Sequence, residues 1–148
     1  MKAIPTQYRG LQMRSRLEAK WACYFDLRGD CTWQYEPIDL AGWIPDFSLV
    51  MPHKALRKPF LAEVKPVFDY KDFKNSEDGR KVIKAIACLG SDEFAKRFSA
   101  FLLLGVSPQH VWFWPHKSGD FFHIPQTIKN VNELWAAACN SAQWKAPI

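Results

Sequence analysis

The chain has 148 residues and carries 20 Lys and Arg against 15 Asp and Glu, a formal charge of +5. That is one domain's length, enough to bury about two thirds of the unfolded surface without a disulfide or metal staple. An apolar content of 48% with 7 Trp excludes intrinsic disorder as the main state, and no apolar run approaches the roughly 18 residues of a membrane span.

The first five residues, Met1 to Pro5, hold no apolar signal-peptide core, so the expected compartment is the cytoplasm, with no membrane partner. From Ser15 to about Arg28, Leu17, Trp21, Tyr24, Phe25 and Leu27 recur at helical spacing, and Gly29-Asp30 supplies the stop. Three short strands follow, Thr32 to Glu36, Phe47 to Val50 and Phe60 to Val64, rich in aromatic or β-branched residues and bounded by Pro or Gly. A second helix is predicted from about Ser76 to Leu89, with Val82, Ile83, Ile86 and Leu89 inward, Arg80, Lys81 and Lys84 outward, and Gly90 as its end. The unbroken apolar run Ala100 to Val106 reads as a strand buried on both faces and therefore central in a sheet. Short strands at Val111 to Trp114 and Phe121 to Ile124 and a helix from about Asn132 to Trp144 complete the chain. Neither a repeat nor a low-complexity tract divides it, so residues 1–148 form one domain of mixed α/β type.

Chemistry concentrates in Ile44-Pro45-Asp46-Phe47 and Leu61-Ala62-Glu63-Val64-Lys65-Pro66. Side chains alternate along a strand, so Glu63 and Lys65 share one face while Ala62 and Val64 take the other. If Asp46 begins the neighbouring strand, its carboxylate approaches Glu63 and makes a two-oxygen site for a hard cation beside an ammonium group. Mg²⁺ suits such a site because it takes one or two carboxylates and keeps its other positions for water and phosphate oxygens.

Asp46 followed by Glu63-Val64-Lys65, with Glu18 on the preceding helix, resembles the PD-(D/E)XK nuclease superfamily, whose core runs α-β-β-β-α-β. The stretch Met13-Arg14-Ser15-Arg16-Leu17-Glu18-Ala19-Lys20-Trp21-Ala22 and then Tyr35-Glu36-Pro37 is similar to small standalone members from phages and mobile elements. The resemblance covers about residues 8–106 and leaves 107–148 as a C-terminal extension of strands and a helix. It implies a restriction-endonuclease-like α/β fold, a mixed central sheet flanked by helices, and a Mg²⁺-dependent DNA endonuclease in which Mn²⁺ can substitute. By the same resemblance Asp46, Glu63 and the Val64 carbonyl bind the metal, Glu18 holds a metal-bound water or second ion, and Lys65 acts on the attacking water. Whether Lys65 is a base or an electrostatic clamp stays open, since a lysine base needs its pKa of about 10.4 lowered.

Plainer roles compete. Ser15-x-x-Glu18 is also a capping box, in which Glu18 folds back to the helix-start N–H. Pro45-Asp46 is a turn dipeptide, and Glu63 and Lys65 are compatible with a solvent-facing strand end. Glu36 reads as a solvated edge residue and stays outside the site. Trp43 is either a base-stacking residue or a buried loop anchor.

His53, His110, His116 and His123 show no zinc-ligand spacing, and Cys23, Cys88 and Cys139 sit in apolar helical stretches where thiols behave as small hydrophobes. The basic residues lie mainly before residue 85. Arg14, Arg16 and Lys20 at a helix start, with Lys81 and Lys84, are the expected phosphate contacts.

With no separate sequence-reading module, recognition of DNA shape, as in branched or junction DNA, is expected over a long specific site. One active site cuts one strand, which implies a homodimer or a partner subunit for duplex cleavage. A non-catalytic DNA-binding or host-defence-inhibiting protein on the same fold, and an RNA nuclease, are the rival readings.

Overall fold

A computed structural model describes residues 3–51, 58–115, 119–125 and 129–142. Its chain begins with β1 (Thr6–Tyr8), β2 (Leu11–Met13) and α1 (Arg16–Arg28), followed by the strands β3 (Thr32–Tyr35), β4 (Phe47–Val50) and β5 (Phe60–Val64). Three helices come next, α2 (Tyr70–Lys74), α3 (Glu77–Leu89) and α4 (Ser91–Arg97). The strands β6 (Phe101–Leu104), β7 (Val111–Trp114) and β8 (Phe122–His123) and the helix α5 (Val131–Ser141) finish it. His53 and His116 lie outside the described residues, as does the end of the helix expected to reach Trp144.

The main sheet has six strands in the order β3-β4-β5-β6-β7-β8. All neighbours are antiparallel except β5 and β6, which run parallel because the three helices α2 to α4 carry the chain back. The fold is therefore mixed α/β with a mostly antiparallel sheet. β6 is central and buried at every position, as its unbroken Phe101-Leu102-Leu103-Leu104 run requires.

Alternation along the strands builds two cores. Phe47, Leu49, Ala62, Val64, Leu102, Leu104 and Val111 face α1 and α5, while Leu61, Phe101, Leu103, Trp112 and Trp114 face α3 and α4. On the first face Trp21 packs against Trp135 with ring centroids 4.9 Å apart and donates from Nε1 to the Gly105 carbonyl at 2.9 Å. One residue thus ties α1 both to α5 and to the end of β6.

Four elements escape the periodicity argument. β1 and β2 form a separate hairpin whose two-residue turn, Arg9-Gly10, has positive φ at both positions, 50° and 78°, as a tight type I′ turn demands. Asp26 anchors it by accepting from the Tyr8 hydroxyl, from Arg9 Nη1 at 3.2 Å and from Trp33 Nε1 at 2.9 Å. The short α2 and α4 are too brief to show a helical period; α2 starts at the Asp69 cap and α4 directly after Gly90. Two thiol expectations also shift: Cys88 is exposed and Cys139 half-buried, so of the three only Cys23 is a core thiol. No helix among the described residues is long and apolar enough to cross a membrane.

The start of α3 is fixed against α2. Ser76 Oγ accepts from the Gly79 N–H at 2.9 Å, and a methyl group on Gly79 would overlap the Phe73 carbonyl oxygen. Replacing a helical Gly by Ala ordinarily stabilises by about 0.5–1 kcal/mol. Here the sign should reverse: Gly79→Ala is expected to destabilise by about 1–3 kcal/mol, measured by urea unfolding, because α2 or α3 must shift to admit the methyl. A neutral or stabilising result would contradict this packing.

Candidate functional site

The antiparallel ladder between β4 and β5 runs up to the pair Phe47↔Ala62 and then stops for a chemical reason. Continuing the register would set Pro45 opposite Val64, and proline has no N–H to give the Val64 carbonyl. Instead Asp46 bends in and its Oδ2 accepts from the Val64 N–H at 2.8 Å. Asp46 and Glu63 are thereby brought together beside the Val64 peptide, and Lys65 follows on the same strand face. The expected juxtaposition of Asp46, Glu63, Val64 and Lys65 is present.

These residues belong to a pocket of about 410 Å³, lined also by Ser15 at the N-cap of α1, by Glu18 in its first turn, and by Asp78 and Lys81 of α3. Each helix presents its first turn, where unpaired amides make the environment electropositive. Glu63 is buried and Asp46 half-buried. Burial, the Glu63 charge and the Glu18 charge push the Asp46 carboxyl well above the ordinary aspartate range, and the Val64 N–H only partly opposes them. Burial likewise raises Glu63, against the lowering influence of Asp46, Lys65 and Trp43. The pair therefore holds on to protons, the mark of negative charge in excess of its solvation.

Lys65 Nζ donates to Asp78 Oδ2 at 2.8 Å. Burial pulls the Lys65 pKa down, but the Asp78 hydrogen bond and the Glu63, Asp78 and Asp46 charges outweigh it, leaving the ammonium above the ordinary lysine value. Lys65 is thus a cation here.

Glu18 is buried with both oxygens engaged, Oε2 by the Ser15 hydroxyl at 2.7 Å and Oε1 by the Tyr35 hydroxyl at 2.9 Å. Ser15 does cap α1, accepting from the Glu18 N–H at 3.1 Å. The reciprocal half of a capping box is replaced, because the carboxylate reaches hydroxyls and the pocket rather than the Ser15 N–H. Tyr35 and Asp78 are positioning partners that the sequence did not reveal. Trp43 is the buried anchor, not a stacking surface: it is 3% exposed, packs edge-on against Phe101, and directs Nε1 toward Glu63 Oε1 at 3.5 Å.

The basic residues divide. Arg14 and Lys81 line the pocket, and Arg14 pairs through Nε with Glu36 at 2.8 Å, so Glu36 is an ion-pair partner at the rim. Arg16, Lys20 and Lys84 are not among its lining residues; Lys84 is exposed, whereas Arg16 is half-buried with its Nε unpartnered. Among the described residues no three His, Cys, Asp or Glu side chains converge into a ready-made metal cluster. The donor set is two carboxyls, a neighbouring peptide carbonyl and a third carboxylate set back on α1, which is compatible with a cation that retains several waters. Compared with protein-family models, with curated proteins and with solved structures, the chain matches none.

Carboxyls with raised folded-state pKa values stabilise the fold in acid, and that contribution is lost as pH rises through those values. Asp46→Asn keeps an oxygen for the Val64 N–H and gives Glu63 a donor in place of a like charge. In EDTA at neutral pH this substitution is expected to raise the melting temperature by several degrees, with the gain shrinking as pH falls and the wild-type carboxyl takes up its own proton. A lower melting temperature at neutral pH would refute the excess of negative charge.

Proposed function

We propose that this chain is a Mg²⁺-dependent endonuclease of the PD-(D/E)XK type that hydrolyses DNA phosphodiester bonds. The observation that carries the reading is the Asp46–Glu63 pair, two carboxyls crowded at the end of adjacent strands, with excess proton affinity and a lysine cation on the same strand face. Such a pair costs stability at neutral pH, and a divalent cation held between the carboxyls would remove the cost. The order α1, β3-β4-β5 antiparallel, a helical crossover and a parallel β6 supports the restriction-endonuclease-like assignment.

Asp46 and Glu63 would hold the ion with the Val64 carbonyl beside them, and Mn²⁺ would serve in its place. When bound, such an ion polarises the phosphoryl oxygen and makes water acidic enough to attack at neutral pH. Lys65, protonated and aimed by Asp78, offsets charge growing on the phosphate, so we assign it the clamp role. Glu18, oriented by Ser15 and Tyr35, accepts a proton or orients water at the α1 side of the pocket. Arg14 and Lys81 contact phosphates at the rim. A second copy or partner subunit, needed for cutting both strands of a duplex, remains part of the proposal.

With Mg²⁺, the protein should cleave DNA and EDTA should stop it. Asp46→Asn and Glu63→Gln should each lower cleavage by roughly two orders of magnitude or more without loss of fold. Near wild-type cleavage by either variant would sink the proposal. Glu18→Gln should also lose activity, and Ser15→Ala, which removes both the α1 cap and one of the two hydroxyls on Glu18, should cost about 0.5–2 kcal/mol of stability and lower activity by less than Glu18→Gln does. In binding assays across salt concentrations, Arg14→Ala and Lys81→Ala should each reduce the log-log slope by about one.

A further inference from the structure

Glu36 holds a backbone conformation that suits a glutamate poorly. Its φ is +48°, in the left-handed region that Gly enters freely and other residues rarely, and Pro37 after it favours an extended conformation at the preceding residue. A hydrogen bond pins it there, since the Glu36 N–H donates to the Asp46 carbonyl at 2.9 Å, one pair beyond Tyr35↔Phe47 in the β3–β4 ladder. Such strain persists only where the surroundings hold it, and it gathers at working sites.

The side chain of Glu36 reaches toward the charged pocket without lining it. Its Oε1 lies 2.8 Å from Nε of Arg14, which does line the pocket, and the glutamate side chain is 29% exposed against 72% for the arginine. The acid is thus the fixed member of the pair and the guanidinium the accessible one. Both are built on the site's own framework. Glu36 is tied to Asp46, and the Arg14 N–H donates at 3.1 Å to the Tyr35 hydroxyl, which itself donates to Glu18. Exposed ion pairs are ordinary and mostly weak. This one differs in that its acid sits on strained backbone and its base at the mouth of the pocket.

A guanidinium meets carboxylates and phosphates with the same forked set of donors, so the two anions are exchangeable partners. In an exposed setting the exchange is close to neutral, and a phosphate gains little at Arg14 unless other contacts hold its strand in place. We propose that Glu36 is a specificity-determining residue: it occupies Arg14 as an internal stand-in for a DNA phosphate and yields the arginine to a strand held at the Asp46–Glu63 pair. Phosphates that meet the rim alone win little, which restrains the sequence-independent binding that a charge of +5 invites. This inference rests on the nuclease reading above and gives a task to a residue which that reading leaves unused.

The test is a double-mutant cycle on wild type, Glu36→Gln, Arg14→Ala and the double variant. Affinity for fluorescein-labelled duplex, single-stranded and four-way-junction DNA is read by anisotropy in EDTA, at physiological ionic strength, where charges more than about 8 Å away are screened. Glu36→Gln is expected to tighten binding about two- to fivefold, the equivalent of one exposed ion pair. In the Arg14→Ala background the same change should alter Kd by less than about 1.5-fold, because no arginine is left to release. Glu36→Gly, which suits the positive φ, should tighten binding as Glu36→Gln does and guards against a folding defect in the latter. Unchanged affinity in both Glu36 variants, or an equal gain with and without Arg14, overturns this inference, while cleavage by wild type with Mg²⁺ would leave the nuclease reading standing. A wild type that neither binds nor, with Mg²⁺, cleaves any of the three DNAs overturns both.

Discussion

Two carboxyls are forced together where the β4–β5 ladder ends, and the surroundings of that junction are organised to tolerate them. Like charges in a poorly hydrated site repel strongly, so each needs donors or a proton. Pro45 has no N–H for the Val64 carbonyl, the ladder ends there, and the Val64 N–H donates to the Asp46 side chain rather than to a strand carbonyl. Trp43 turns its indole toward Glu63, Lys65 supplies a charge on the same strand face, and the first turns of α1 and α3 face the pocket. Even together these do not neutralise the pair, because both carboxyls keep raised proton affinity.

The rest of the fold keeps those few atoms in place. The two-faced sheet gives β5 an apolar neighbour on each side, so Glu63 and Lys65 issue from a strand whose Leu61, Ala62 and Val64 are buried. The N-terminal hairpin is clasped to α1 and β3 through Asp26 and delivers Ser15 to the start of α1. The indole of Trp21 fastens α1 to the Gly105 carbonyl just beyond β6. Loosening any of these fastenings would move Glu18 or Lys65 relative to the pair, and displacements near an ångström are large on the scale of such chemistry.

The pocket itself has a charged floor and a partly apolar rim. The floor suits a cation and a phosphate, which every nucleic acid supplies, whereas Ile44 gives the rim an exposed apolar side chain. Arg14 is not a bare rim cation, since Glu36 already occupies it, and a phosphate at that position competes with an exposed ion pair of modest strength.

Patterns local to a few residues were legible in the sequence. Helical spacing placed α1 and α3, the unbroken apolar run placed β6 at the centre of the sheet, and alternation put Glu63 and Lys65 on one face. Such readings succeed because period and burial are written into neighbouring residues. The partners that orient the site were not legible: Tyr35 meets Glu18 across 17 positions, Trp43 approaches Glu63 across 20, and Asp78 holds Lys65 across 13. Nothing in the local sequence distinguishes those residues from ordinary strand, loop and helix-start residues. Likewise charge alone did not separate Arg14 and Lys81, at the pocket, from Arg16, Lys20 and Lys84, which lie outside its lining. The sequence by itself determined which residue types were on hand and which strand face they shared, whereas tertiary structure decided who touches whom, because hydrogen-bond partners and shared desolvation depend on distances that only the folded chain sets.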